Sequence, residues 1–536
     1  MKVSRRIATT LFAGAALMAG SFMALPSQQA LAAEQVDDKL YMVIAGRQPV
    51  SHLDPALKYD LAVRMMQQQL YDALVKYEGN PSEIKPWLAE SWTTSEDGLT
   101  WTFTLAKNAK FHDGSPVNAD AVIYSFKRTM AINEGPAWML EGFVEADNIK
   151  ALDEHTVEFK LNKPYAAFLS FLPWWYVLNP DVVEANTKDG DMGKGYLLEN
   201  AAGSGPYTLE RFEQGTAYVL KRNDDYWKGF PYDNDRMGGV IYRLMRESAA
   251  QRAALLKGEA DIVTGLSVEE RQAVEKREEI QTTSLPALTS FGLKMNTTKG
   301  ITADVNIRKA LAYAYDYDSF LQIMNGEAKL QTSPFTDAVK GMVPVGSMPT
   351  RDIEKAKEYL AKTDHPDGGF EIDYVYVEGF ELERQMGLSM IDAFKDINVT
   401  VNMIPQTWPN MVALGSKPDT SPDLLAIFTT PVSTDPDAIA IQYHPSSHGK
   451  YYASHFLDDP DLNKMIEDAR AETDWEKRVP IYAEIQQKIV DLQPEIFGMM
   501  RNRGMAHRTW VKGYEDSPIR MGGEIDFYPV HLDPNS

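Results

Sequence analysis

The chain has 536 residues, 44% of them hydrophobic, with 54 basic against 76 acidic side chains for a formal charge of −22, and no cysteine. That charge excludes phosphate backbones and anionic lipid surfaces as natural partners, and the missing cysteine excludes disulfides, thiolate chemistry and a lipid-bearing cysteine. A disulfide-free chain of this length must rest on a large apolar core and divides into two or more domains.

At the N-terminus Lys2, Arg5 and Arg6 precede an apolar run that reaches Ala30-Leu31-Ala32. This reads as a signal peptide over 1–32 that exports the chain to the periplasm, and Arg5-Arg6 leaves the twin-arginine route open. No later stretch is apolar for long enough to span a bilayer. KLYMVIAG (39–46) reads as a strand leading into the polar turn HLDPALKYD, and helical spacing runs from Leu61 to Leu74 before the Gly79-Asn80-Pro81 breaker. LTWTFTL (99–105) alternates with period two, as a half-buried strand does.

In KFHDGSPVNADAV, Asp113-Gly114 signals a turn and Asn118 a helix cap. His112-Asp113 therefore reads as a polar corner, with no nucleophile-elbow serine to make it catalytic. HTVEFKL (155–161) is a further strand, followed by the aromatic-rich AAFLSFLPWWYVLNP. Residues 203–227 read as a hairpin closed at Gln214-Gly215, then the strand VIYRLM and the helix SAAQRAALLKG. Ile307, Leu311 and Tyr315 recur on one helix face, stopped by Asn325-Gly326. FEIDYVYV, LERQMGLSMIDAFKDI and VTVNMIP then run strand, helix, strand, and this alternation predicts an α/β fold.

His444, His448 and His455 tempt a metal reading, but Pro445, Ser446, Ser447 and Gly449 break helical spacing between them, and no carboxylate completes a set. No metal or other cofactor is expected. G-x-S-x-G, HExxH, P-loop and dinucleotide motifs are missing, so the chain reads as a non-enzyme. A hydrolase using an acidic pair stays open as the alternative, as does a sensory or chaperone-like binding protein.

Four ordered stretches carry a resemblance: LDPAL at Asp54; KPWLAESWTTSEDGLTWTFTLAKNAKFHDGSPVNADAVIYSFKR; GSGPYTLERF with KRNDDYW; and NIRKALAYAYDYDSF. With them the chain resembles the large periplasmic binding proteins of the oligopeptide, dipeptide and nickel uptake family, which feed ATP-driven importers. The resemblance implies an α/β fold of two lobes with an additional domain and a ligand cleft between the lobes. The first lobe would combine 34–75, 200–290 and 500–536, with 76–199 as the additional domain and 291–499 as the second lobe. It also implies a monomer that captures a small solute and hands it to an inner-membrane ABC permease, without chemistry or nucleic-acid binding of its own.

By the same resemblance Trp408, in IPQTWPNM, lines the pocket, while Tyr59 and Trp138 fall at positions that reach the ligand, though ordinary packing accounts for them equally well. Residues 424–444 should bring a strand out to the cleft. Peptide-binding relatives carry a tryptophan and an aspartate there for the peptide ammonium, where this chain has Thr429 and Val432. A buried ammonium without a carboxylate costs on the order of several kcal/mol, so a linear peptide held in the usual way is disfavoured. Asp435 turning inward would compensate; a local cap is its other reading. Phe428, Trp408 and the Trp174-Trp175-Tyr176 cluster suit stacking on a flat or apolar ligand face, although an extended segment cannot aim both Trp174 and Trp175 the same way. A peptide-like compound, an opine or amino-acid conjugate, and an oligosaccharide all remain in view.

Overall fold

Two long strands carry the architecture. In the computed structural model, which describes residues 34–36, 39–57, 61–232, 237–337, 339–515, 517–520 and 524–533, Ile280–Met295 and Glu495–Arg508 pair antiparallel from Ile280↔Arg508 to Lys294↔Glu495. The expected signal peptide and Tyr59 lie outside the described residues. On one flank of the pair, Ile262–Val263, Lys39–Gly46, Met237–Leu244, Ala217–Arg222 and Tyr207–Glu213 follow in order; on the other stand Leu424–Thr429, Phe370–Val377 and Val399–Gln406. Together with two short edge strands they form one 12-stranded sheet. Each flank carries a parallel pair, Lys39–Gly46 with Met237–Leu244 on one and Phe370–Val377 with Val399–Gln406 on the other, and the latter are joined through the helix Glu381–Phe394. This is the α/β pattern that the alternation of elements predicts.

A second body stands apart on a four-stranded antiparallel sheet, ordered Ala89–Thr94, Thr100–Leu105, Thr156–Leu161, Val144–Asp153. Its apolar core gathers Phe103, Phe126, Phe159, Phe168 and Trp175, all from between residues 74 and 177. Asn118 caps the helix Ala119–Ile132, its Oδ1 accepting from the Ala121 amide at 3.0 Å. Arg128 on this helix donates through both guanidinium arms to Asp54 of LDPAL, at 2.8 and 2.6 Å, and so fixes the turn that precedes the helix Leu61–Leu70. His112 and Asp113 form the corner expected of them: the imidazole meets the Gly205 carbonyl, while Asp113 accepts from Ser115 and Asn179.

Three readings are corrected. The helix expected to reach Leu74 ends at Leu70, because Ala73 pairs with Tyr176 and the Leu74 carbonyl receives the Trp87 and Ala89 amides. The single helix through Tyr315 is two, Val305–Ala314 and Tyr317–Ile323, since Asp316 accepts from the Ser319 amide and caps a new start. Trp174, Trp175 and Tyr176 are all buried rather than offered to a ligand. Trp175 stacks on Phe126, and the Arg64 guanidinium lies 3.5 Å above the Trp174 ring.

Residues 432–438 cross from the large sheet to the smaller body as a strap. Trp174 Nε1 donates to the Val432 carbonyl at 2.6 Å, and the Ser433 hydroxyl bonds Ser170 at 2.8 Å. Tyr165 donates to Asp437, which Arg470 also pairs at 3.1 Å, and Ala438 joins the apolar core of the smaller body. Asp435 does not turn inward: both its oxygens are taken by the Arg478 fork at 2.9 and 3.0 Å, and Oδ1 accepts the Asp437 amide as well. That fork match is the strong form of a carboxylate pair, and it holds the carboxylate away from any ligand.

Replacing Arg478 by Leu should cost about 3–5 kcal/mol in urea denaturation, because it strands the half-buried Asp435 charge; adding Asp435→Asn should recover part of the loss. Glu383, buried under its own helix with one bond from the Val377 amide, is pushed up from 4.5 to about 7 by burial. Between those values the unfolded chain releases the proton that the folded chain keeps, so this group lowers stability as pH rises from 4.5 to 7 and changes nothing further above. The Glu383→Gln variant should therefore gain stability over the parent across that interval, on the order of 1–3 kcal/mol, and the gap should then level off.

Candidate ligand-binding cleft

Where the strap leaves the sheet it roofs a cavity of about 910 Å³. Its wall brings together Trp138, Trp408, Phe428, Thr429 and Val432, five of the seven side chains singled out from the sequence. Asp435 is not among them, being held by Arg478, and Tyr59 lies outside the described residues, although nearby Leu61 lines the same space.

Each of the five is placed by a local rule. Trp408 opens the helix Trp408–Leu414, with Pro409 in the first turn, where a missing amide costs nothing. Its ring meets Tyr451 edge-on, 5.0 Å between centroids, and stays 43% exposed. Phe428, near the end of the strand Leu424–Thr429, leans on Phe291 and Phe380. Thr429 is the last strand residue, and its buried hydroxyl has no hydrogen-bond partner among the described residues. Trp138 sits in the short helical turn Gly135–Met139 of the smaller body. Gly135 has φ +49°, and a Cβ there would come within 2.3 Å of the Leu57 carbonyl, so only glycine lets this turn press against LDPAL and aim Trp138 at the cavity.

Polar groups are few. Glu134 and Glu141 stand on the wall as exposed carboxylates, and Gln442 is anchored to the Ala438 carbonyl. Lys450 lies over the Trp138 ring, 4.8 Å from its centroid, and burial pushes its ammonium below the usual lysine value while Glu141 opposes that shift. Sequence reasoning missed Lys450, Tyr451 and Tyr452, having read 444–455 for its histidines. Those histidines are used locally: His444 bonds Ser446, His448 meets the Leu457 carbonyl, and His455 is buried flat against Tyr443. The Tyr451-Tyr452 doublet beside Gly449 was the available signal.

A largely apolar wall with a few converging polar groups is the form that small-molecule sites take. The profile of the Bacterial extracellular solute-binding proteins, family 5 Middle, matches residues 83–451. The probable D,D-dipeptide-binding periplasmic protein DdpA of Escherichia coli (strain K12) is 28% identical over 477 residues, covering 87% of this chain and 90% of that protein. Among solved structures, the periplasmic binding protein DppA from Helicobacter pylori in complex with peptide STSA superposes with a TM-score of 0.78 at 23% identity, over 92% of this chain and 99% of its own. AgaA from A.tumefacien R10 in complex with agropinic acid does so with a TM-score of 0.76 at 22% identity, over 92% and 99%. No helix among the described residues is long and apolar enough to cross a membrane. The fold is the two-lobed one of periplasmic binding proteins, and the chain belongs to the bacterial extracellular solute-binding proteins of family 5.

Proposed function

We propose that this chain is the periplasmic capture component of an ABC importer, closing its lobes over a small organic solute in the 910 Å³ cavity and presenting the closed form to an inner-membrane permease. The observation that carries the reading is Trp408: a large ring left 43% exposed inside a concave, aromatic-rimmed wall that also holds the Thr429 hydroxyl, buried and without a hydrogen-bond partner among the described residues. An aromatic face and an unused polar group are features that a bound molecule completes. Trp408, Trp138, Phe428, Thr429 and Val432 are the proposed contacts. The lobe boundaries expected from the sequence are retained in this proposal, supported by two apolar cores, one drawn from 74–177 with Ala438 of the strap added and the other from 291–499.

The solute class is a peptide-like compound, an opine or amino-acid conjugate, or an oligosaccharide. DdpA is named for D,D-dipeptides and AgaA was solved with agropinic acid, so ligands other than ordinary linear peptides are at home on this fold. Thr429 and Val432, neither able to answer an ammonium with charge, favour such a ligand over a linear peptide held by its amino end.

Native mass spectrometry of gently purified periplasmic protein, followed by denaturing release, should yield a retained small molecule of one of these classes; a protein that carries and takes up none contradicts the reading. Trp408→Ala should weaken binding of the released molecule by about 1–3 kcal/mol in calorimetric titration if the ring is a central anchor, and an unchanged affinity removes it from the contacts.

A further inference from the structure

Behind Trp138 lies a second cavity, of about 580 Å³, between the smaller body and the helix Pro460–Ala471. Trp138, Glu141, Ile441 and Lys450 line both cavities, so the two spaces meet across these side chains. The second differs in chemistry. Arg470, Lys163 and Lys450 are all on its wall. Arg470 is occupied by Asp437, but the two lysines show no ion pair among the described residues and instead rest on aromatic rings, the exposed Lys163 on Phe143 at 4.7 Å and the half-buried Lys450 on Trp138 at 4.8 Å, so Lys450 is the less screened of the two.

Building on the solute-capture reading, we propose that the two cavities are consecutive chambers of one site, and that Lys450 at their junction, with Lys163 in the second chamber, receives the acidic end of an elongated ligand whose flat or apolar end lies against Trp408. A half-buried ammonium that rests on an aromatic face, with Glu141 acting on it only from the solvent side, is incompletely compensated, and a ligand carboxylate supplies the charge-assisted bond it lacks. The acidic residues nearby do not cancel it. Asp437 is held by Arg470 and Tyr165, while Glu141 and Glu467 are exposed to screening solvent. Burial pushes His444 below its usual value, so it adds no charge at neutral pH.

The test uses N-acetyl-phenylalanyl-alanyl-alanine and its C-terminal amide, which share an aromatic end and differ only in the acid. Titrated onto the full mature chain, the acid should bind at least about tenfold more tightly than the amide. Lys450→Met should bring the two within about twofold, whereas Lys450→Arg should keep the preference. Ala471→Trp, on the exposed rim of the second cavity, should weaken the acid by narrowing that chamber while leaving the fold intact. Equal affinities of acid and amide for the parent, or a preference that survives Lys450→Met, overturn the inference and leave the solute-capture reading standing. So does a protein that carries a periplasmic ligand without an acidic group. A protein that holds no periplasmic ligand and takes up neither peptide overturns both.

Discussion

Everything about the cleft depends on the strap at 432–438 being held from both sides. Its backbone carbonyl at Val432 is pinned by the Trp174 indole, its serine by Ser170, and its two aspartates by Arg478 and by Arg470 with Tyr165. These groups are largely withdrawn from water, where a lone charge or carbonyl is costly and a fully partnered one is stable. The strap is therefore held at several points along its length in this conformation, and the wall from Phe428 to Ala438 is held with it. Asp437, which burial pushes above the usual carboxylate range while Arg470 pulls the other way, shows how finely that balance is set.

The division of labour among acidic residues follows from this. In a chain with such an excess of carboxylates, the ones next to the cleft are either spent on structure or left at the solvent edge, so the interior wall is aromatic and weakly polar. On the proposed reading, recognition then falls to ring faces, a few hydroxyls and the Lys450 ammonium. A site of that kind discriminates by shape and by a small number of directed bonds rather than by a dense charge lattice.

Much of the fold could be read from the chain because the relevant signals are local. The alternation in LTWTFTL, the Asn118 cap and the Gln214-Gly215 hairpin all depend on neighbours in sequence and appear as expected. The two misread helices failed for a related reason: the residues that end them answer to distant partners, Tyr176 and Trp87 for the first, or to a second capping aspartate inside the run for the other. In the cleft, the aromatic and hydroxyl residues of 408 and 428–432 were legible, whereas Asp435 was decided by Arg478, 43 residues away, which no local pattern announces. Lys450 escaped for the opposite reason, because its histidine-rich surroundings drew attention to metal ligation.

The pair of strands Ile280–Met295 and Glu495–Arg508 runs through both halves of the large sheet, and its ladder loses register between Pro286 and Ser290. Proline offers no amide to the ladder, so the interruption falls where the backbone can least repair it. A doubled ribbon resists being pulled apart or sheared, yet it yields to torsion about its long axis, most easily where rungs are missing. The two flanks of the large sheet are thus joined by a continuous two-stranded ribbon rather than by slack loops. On the capture reading proposed above, closure of the lobes is then a twist of this ribbon, and that twist is the change of shape a permease would meet.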